Sequence, residues 1–221
     1  GAFEQLVKEV ERRINLGEVI TPEYVVHIDN RYVLTLEGRR AIINRCIYGV
    51  DINPEAVEVA KMSLSLKLID NYLPSDFGAV GILGSQILRG VGENIRCGNS
   101  LVGEDIQSFA PSILENAVQL QATNAFDWQT AFPEVFEEGG FDYVVGNPPY
   151  VEVKNYNVSL PYMAVYIKRK YRSSRNGKID LAVPFIEKGV SLLNEHGRLG
   201  YIVQKRFFKA EYGKGIRKLL T

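Results

Sequence analysis

Asn147-Pro148-Pro149-Tyr150 concentrates more chemistry than any other part of this 221-residue chain. It is entered from the apolar run Phe141-Asp142-Tyr143-Val144-Val145-Gly146. The run reads as a buried strand and the tetrapeptide as the loop that ends it. Asn147 supplies a carbonyl acceptor at a fixed place. The two prolines fix φ and carry no N–H, so neighbouring carbonyls stay free to point into a pocket. Tyr150 offers a flat face on which a base can stack. Together these groups suit the holding of a planar nitrogen and the ring that bears it. An Asn-Pro turn after a strand is ordinary by itself. A strand followed by the whole tetrapeptide is much rarer, which favours the chemical reading.

Two more polar residues fall where strands are expected to end. Asp51 closes Ile47-Tyr48-Gly49-Val50. Its carboxylate can accept hydrogen bonds from both hydroxyls of a ribose, roughly 1.5–3 kcal/mol per bond. Ile52 would then lie against an adenine face. The competing reading makes Asp51 a cap for the next helix, although Asn53 is better placed for that. Asn99, with Ser100 beside it, can meet the edge of a base, but Gly98-Asn99-Ser100 is also common turn composition. Parallel sheets bind ligands at the carboxyl ends of their strands. Asp51, Asn99 and Asn147 are therefore expected to line one cleft.

The elements that must position these residues alternate. A helix is expected over residues 4–16 and a small hairpin around Asp29-Asn30. A short helix (39–44) should feed a strand (46–50). Asn53 as N-cap and Pro54 at the first position should open a strong helix through Ile69. Ile95-Arg96-Cys97 reads as a strand, 104–129 as a polar helical stretch interrupted at Pro111, and 151–178 as a mobile-looking polar segment. A helix over 181–194, a turn at Glu195-His196-Gly197, a strand over 199–203 and a helix from about Tyr212 complete the order. Strands alternating with helices predict a mostly parallel α/β sheet covered on both faces.

Composition narrows the partners. With 26 basic and 26 acidic residues the chain lacks the excess of positive charge that usually accompanies self-sufficient DNA binding. One basic stretch stands out: Lys168-Arg169-Lys170, Arg172, Arg175 and Lys178, interleaved with Tyr166 and Tyr171. It reads equally as a solvated helix end or as a phosphate-contacting edge beside an active site. Cys46 and Cys97 lie in apolar surroundings and read as buried free thiols. Neither they nor the isolated His27 and His196 form a ligand cluster, so no metal site is expected. No apolar run reaches the ~18 residues of a membrane span.

At Asn147-Pro148-Pro149-Tyr150 the chain resembles the S-adenosylmethionine-dependent amino-methyltransferases, whose branches modify adenine N6 in DNA, guanine in RNA or a glutamine amide in protein. Tyr48-Gly49-Val50-Asp51-Ile52-Asn53-Pro54-Glu55-Ala56-Val57-Glu58-Val59-Ala60 is similar to the second motif of adenine-N6 DNA methyltransferases, in particular those of fused restriction-modification enzymes. Cys97-Gly98-Asn99-Ser100-Leu101 resembles the same branch. So do Asp180-Leu181, Phe185-Ile186-Glu187, Gly197-Arg198-Leu199-Gly200-Tyr201-Ile202-Val203 and the tail Phe208-Lys209-Ala210-Glu211-Tyr212-Gly213-Lys214. The likeness extends from Tyr48 to Leu220.

The resemblance implies a Rossmann-like class I S-adenosylmethionine-dependent methyltransferase fold and the methylase module of a type II restriction-modification enzyme. It implies Asn147, Pro148, Pro149 and Tyr150 as catalytic residues, and Asp51, Ile52, Asn99 and Ser100 as the cofactor-binding set. The cofactor would be S-adenosylmethionine. The partner would be double-stranded DNA, met by base flipping, in the cytoplasm, with a nuclease and a target-recognition domain fused or separate. Asn147 and the Pro148 carbonyl would bind both hydrogens of the amino group and favour its pyramidal form. That restores a lone pair for methyl transfer without a covalent enzyme intermediate. Protein glutamine or RNA guanine remain alternative substrates, and an inactive DNA-contacting scaffold a third reading. Tyr212-Gly213-Lys214 and the long 151–178 segment favour DNA. Gly1-Ala2-Phe3 looks like the end of the family's Gly-rich first motif. The expectation is therefore a catalytic-domain fragment over residues 1–221, lacking its first and last strands and its target-recognition domain. Insertions are expected at about 17–40 and 151–178, and cofactor affinity should be weak in isolation.

Overall fold

A computed structural model describes residues 1–18, 21–69, 90–175, 180–205 and 214–220, which fall into two compact units, Gly1–Cys97 and Gly98–Thr221. In the first unit, α1 (Ala2–Asn15) buries Phe3, Val7 and Ile14 along one face. The hairpin of β1 (Val25–Ile28) and β2 (Arg31–Leu34) turns where expected. Asp29 and Asn30 have φ of 46° and 62°, the left-handed pair that a tight two-residue hairpin turn requires. Asn15 binds the hairpin to α1, since its amide donates to the Tyr32 carbonyl at 2.8 Å and accepts the Tyr32 N–H at 2.9 Å.

The helix expected over 39–44 is longer. α2 (Leu36–Cys46) starts at Thr35, whose Oγ1 accepts the Gly38 N–H at 3.1 Å. Because Cys46 closes that helix, the following strand β3 is only Gly49–Asp51. α3 (Pro54–Ile69) then runs over the expected residues. β4 (Ile95–Cys97) pairs parallel with β3, Gly49 opposite Ile95 and Asp51 opposite Cys97, so the carboxyl ends of the two strands coincide. Leu34, Ile42, Ile43 and Leu68 complete the core around α1. The expectation of buried thiols fails: Cys46 and Cys97 are both exposed, and neither is in a disulfide. Each lies at the end of its element rather than within it.

In the second unit the helical stretch expected over 104–129 is broken into pieces. α4 (Ile106–Phe109), a 3-10 turn (Pro111–Glu115) and α5 (Ala117–Thr123) are followed by α6 (Trp128–Ala131) and α7 (Pro133–Glu137). Pro111 and Pro133 each open a new element, as proline does at a first helical position. Asn124, left-handed at φ 46°, ends α5. β5 (Phe141–Gly146) pairs parallel with β6 (Leu193–Tyr201). β6 starts earlier than expected, and the residues expected to turn, 195–197, form the bulge where the register slips between Phe141 and Tyr143. Asn194 fixes the bulge by donating to Asp142 at 2.7 Å and accepting the His196 N–H at 3.0 Å.

The largest correction concerns residues 151–178. In place of a polar, mobile-looking segment they hold α8 (Tyr156–Ser159), α9 (Pro161–Lys170) and a 3-10 turn (Arg172–Ser174). Met163, Ala164, Tyr166 and Ile167 are buried in the main cluster of the unit with Leu101, Val102, Ile106, Ile113 and Leu181. The apolar positions recur at helical spacing, and the charged run occupies only the last turn, where basic residues favour a helix. α10 (Ala182–Ser191) and α11 (Lys214–Leu220) place Val183, Ile186 and Ile216 against Leu199 and Tyr201 of β6. Lys178 and residues 206–213, with most of the expected tail motif, lie outside the described residues. Parallel strand pairs joined by helices make the protein α/β. Among the described residues no helix is long and apolar enough to cross a membrane.

Candidate functional site

β3 carries Asp51 to the carboxyl end of its strand pair. One carboxylate oxygen accepts the Asn53 N–H at 2.8 Å, and Asn53 Oδ1 accepts the Glu55 N–H at 2.9 Å. Asn53 thus opens α3. The second carboxylate oxygen of Asp51 has no partner among the described residues, and the side chain is exposed. Ile52 next to it leaves 53% of its surface open, unusual for an isoleucine beside a strand. An acceptor and an apolar face are therefore presented side by side.

Asn99 is placed differently. It is buried, and its amide is taken up internally: Oδ1 accepts the Leu101 N–H at 3.1 Å, while Nδ2 donates to the Thr123 carbonyl at 3.2 Å and Met163 Sδ at 3.4 Å. Its backbone N–H donates to the Asn124 carbonyl at 2.7 Å. The side chain shapes the loop, and any ligand edge meeting it must displace one of these bonds. Trp128, the single tryptophan, donates from Nε1 to the Ser100 carbonyl at 3.2 Å. Tyr171 donates to the Leu101 carbonyl at 2.5 Å, and the Gly103 N–H donates to the Tyr166 hydroxyl at 3.2 Å. Asp105 accepts from Tyr166 at 2.6 Å and forms an ion pair with Lys170.

Sequence reasoning misses Trp128 and Asp105 and misreads Tyr166 and Tyr171 by grouping them with the basic stretch. The helical spacing of Met163, Tyr166 and Ile167 is the available signal. Nothing local marks Asp105, whose partners lie 61 and 65 residues away.

Asn147, Pro148, Pro149 and Tyr150 form one loop at the end of β5. Asn147 is exposed and Pro148 is buried. Neither proline carbonyl accepts a hydrogen bond among the described residues. The Tyr150 hydroxyl lies 2.9 Å from the Ile202 carbonyl and 3.3 Å from Asn147 Oδ1. A phenol has one proton, and the shorter, better contact takes it. Ile202 in turn donates from its N–H to the Gly146 carbonyl at 3.0 Å. The ring of Tyr150 is therefore moored to the end of β6 while Asn147 keeps its acceptor open. The segment that leaves after Tyr150 returns to the same place, with the Leu181 N–H donating to the Val151 carbonyl at 2.8 Å and Glu152 bridging Asp180.

Ionisation follows this packing. Burial works to raise the Asp105 carboxyl, but hydrogen bonds from Lys170 and Tyr166 outweigh it and hold the group below its usual range. Burial raises the phenols of Tyr166 and Tyr171, and pushes Tyr201 up to about 12. A raised phenol keeps its proton in the folded state after the unfolded chain, at about 10, has lost it. Stability is then complete below that value and falls as pH rises through the folded value. Alkaline titration from pH 10 to about 12 should therefore show delayed tyrosinate absorbance that appears together with loss of circular dichroism. Ionisation of all tyrosines at the unfolded value, with the fold intact, would contradict it.

A carboxylate ends one parallel strand pair, and an amide with a moored aromatic ring ends another. Parallel strand pairs that end in polar loops define an α/β protein, and in such proteins ligands bind at the carboxyl ends of the strands. Residues 45–221 match the family described as Eco57I restriction-modification methylase, and the chain belongs to that family. It is 33% identical over 200 residues to the type II restriction enzyme and methyltransferase RM.Eco57I of Escherichia coli, across 87% of this chain and 17% of that protein. It is 40% identical over 94 residues to the type II methyltransferase M.BstVI of Geobacillus stearothermophilus, covering 42% of this chain and 16% of the relative. It is 25% identical over 182 residues to the adenine-specific methyltransferase PglX of Streptomyces coelicolor, covering 76% and 14%. The chain spans about a sixth of the length of these relatives.

Proposed function

We propose that this chain belongs to an enzyme that transfers the methyl group of S-adenosylmethionine to adenine N6 in DNA, within a restriction-modification system. The observation that carries the reading is the loop at the end of β5, with an exposed amide, proline carbonyls that accept no hydrogen bond among the described residues and a moored ring, in a chain of the Eco57I methylase family. The relative that is named as adenine-specific supports the choice of base. On this reading the fold is the Rossmann-like class I methyltransferase fold, and residues at about 17–40 and 151–178 are insertions in it.

Asn147 Oδ1 and the Pro148 carbonyl would accept the two hydrogens of the amino group and favour its pyramidal form, in which the lone pair is free to take a methyl group. The Tyr150 ring stacks on the base, worth roughly 1–3 kcal/mol. That offsets part of the few kcal/mol needed to extrude it from the duplex. The donor set fits the cofactor: the open oxygen of Asp51 would accept from the ribose hydroxyls, and exposed Ile52 would cover the adenine face. Asn99 would shape the loop that presents Ser100 to the adenine edge. When bound, S-adenosylmethionine supplies the activated methyl group.

Incubating the intact enzyme with cofactor and duplex DNA should yield N6-methyladenine in the DNA. Modified protein glutamine or RNA guanine with unmodified DNA would overturn the proposal. Asp51→Ala should weaken cofactor affinity roughly tenfold or more, since two charge-assisted bonds are removed. Calorimetric titration reads this directly, and unchanged affinity would reduce Asp51 to a turn residue.

A further inference from the structure

The fold sorts the basic stretch into two sets. Lys170 is paired with Asp105, and Arg169 donates to the Phe109 carbonyl at 2.6 Å. Tyr166 and Tyr171 are buried and turned inward. Lys168, Arg172 and Arg175 are exposed and have no ion pair or side-chain hydrogen bond among the described residues. Glu187 contributes one negative charge beside Arg172, but its carboxylate accepts the backbone N–H groups of Arg172 at 3.0 Å and Ser173 at 2.8 Å, and no side-chain bond joins it to the three cations among the described residues. A fourth cation joins from α11. That helix packs so closely on the 3-10 turn that a Cβ at Gly215 would lie 2.7 Å from the Ser173 carbonyl. Lys218, three residues on and therefore on the same helix face, is also exposed and without a partner among the described residues.

We propose that Lys168, Arg172, Arg175 and Lys218 form an edge that binds the phosphate backbone of the substrate DNA. The chain as a whole is neutral, and this surplus is local, three of its cations coming from one short stretch of sequence. Like charges in excess of their counter-charges repel one another, and a polyanion relieves that repulsion while releasing its own condensed counterions. The position is informative as well. The excursion that carries three of these cations is anchored at both ends beside Tyr150, where Leu181 donates to Val151. A base held at Tyr150 brings its flanking phosphates to the root of that excursion.

The inference rests on the proposed action on DNA, and its test separates the two. In the intact enzyme, K168Q/R172Q/R175Q keeps the aliphatic stems and removes three charges. The slope of log affinity against log salt should shrink by roughly 2–3, about 0.9 for every phosphate that is no longer neutralised. Specific and non-specific duplexes should weaken alike, by tenfold or more at low salt, with cofactor affinity unchanged. An unaltered slope overturns the phosphate edge, and so does weakening confined to the specific duplex. Single variants R172Q and R175Q, each expected to remove about one unit of slope, give the same answer if the triple variant fails to fold. Failure of the unsubstituted enzyme to bind or methylate DNA would instead remove the functional reading itself.

Discussion

Replacing Asn147 by alanine in the intact enzyme should lower the rate of methyl transfer by about 10²–10³, the effect of removing one preorganised polar group aimed at a reacting centre. Affinity for the cofactor should barely change. The side chain is exposed and its contact with Tyr150 is the weaker of two, so the loop survives its removal with Tyr150 still moored to Ile202. The defect should therefore appear in kcat, with stability intact. Asn147→Asp, which keeps an acceptor oxygen in place, should retain more activity than the alanine variant. Single-turnover transfer of labelled methyl to duplex DNA measures both. Full turnover in Asn147→Ala would take the residue out of the mechanism and leave its family resemblance without a catalytic meaning.

The loop at the end of β5 is legible in the sequence because its information is local. Proline chemistry, a short apolar run and a terminal aromatic need no distant partner to be read. The helix at Pro54 and the hairpin at Asp29-Asn30 are legible for the same reason, one through its cap and the other through two residues that tolerate left-handed backbone. The segment over 151–178 misleads because its charges are consecutive and conspicuous, whereas its buried residues are spread over a helix face. The role of Asn99 cannot be read locally. Whether an amide in a Gly-Asn-Ser turn faces a ligand or the interior depends on Thr123 and Met163, which approach from 24 and 64 residues away.

Tyr166→Ala should destabilise the second unit by about 3–5 kcal/mol, the cost of removing a large aromatic from a packed core. The ring is almost wholly buried and packs edge-on against Phe109 and Tyr171, with centroids 5.3 and 6.5 Å away. Its hydroxyl accepts from Gly103 and donates to Asp105, which holds Lys170. Tyr166→Phe separates the two contributions. It preserves the packing and leaves the Gly103 N–H without its acceptor and Asp105 with Lys170 alone, about 1–3 kcal/mol. Denaturant unfolding of the intact enzyme, followed by hydrogen exchange in peptides that span Ser100 and Trp128, reports on this unit, because the indole is bonded to Ser100. The phenylalanine variant should also bind cofactor more weakly, as the chain from Ser100 to Gly103 loses one of its anchors while the Asn147–Tyr150 loop keeps all of its own. An unfolding midpoint equal to wild type in Tyr166→Phe would mean that packing alone holds the loop. The helix formed by residues 161–170 would then be its support only through apolar contact.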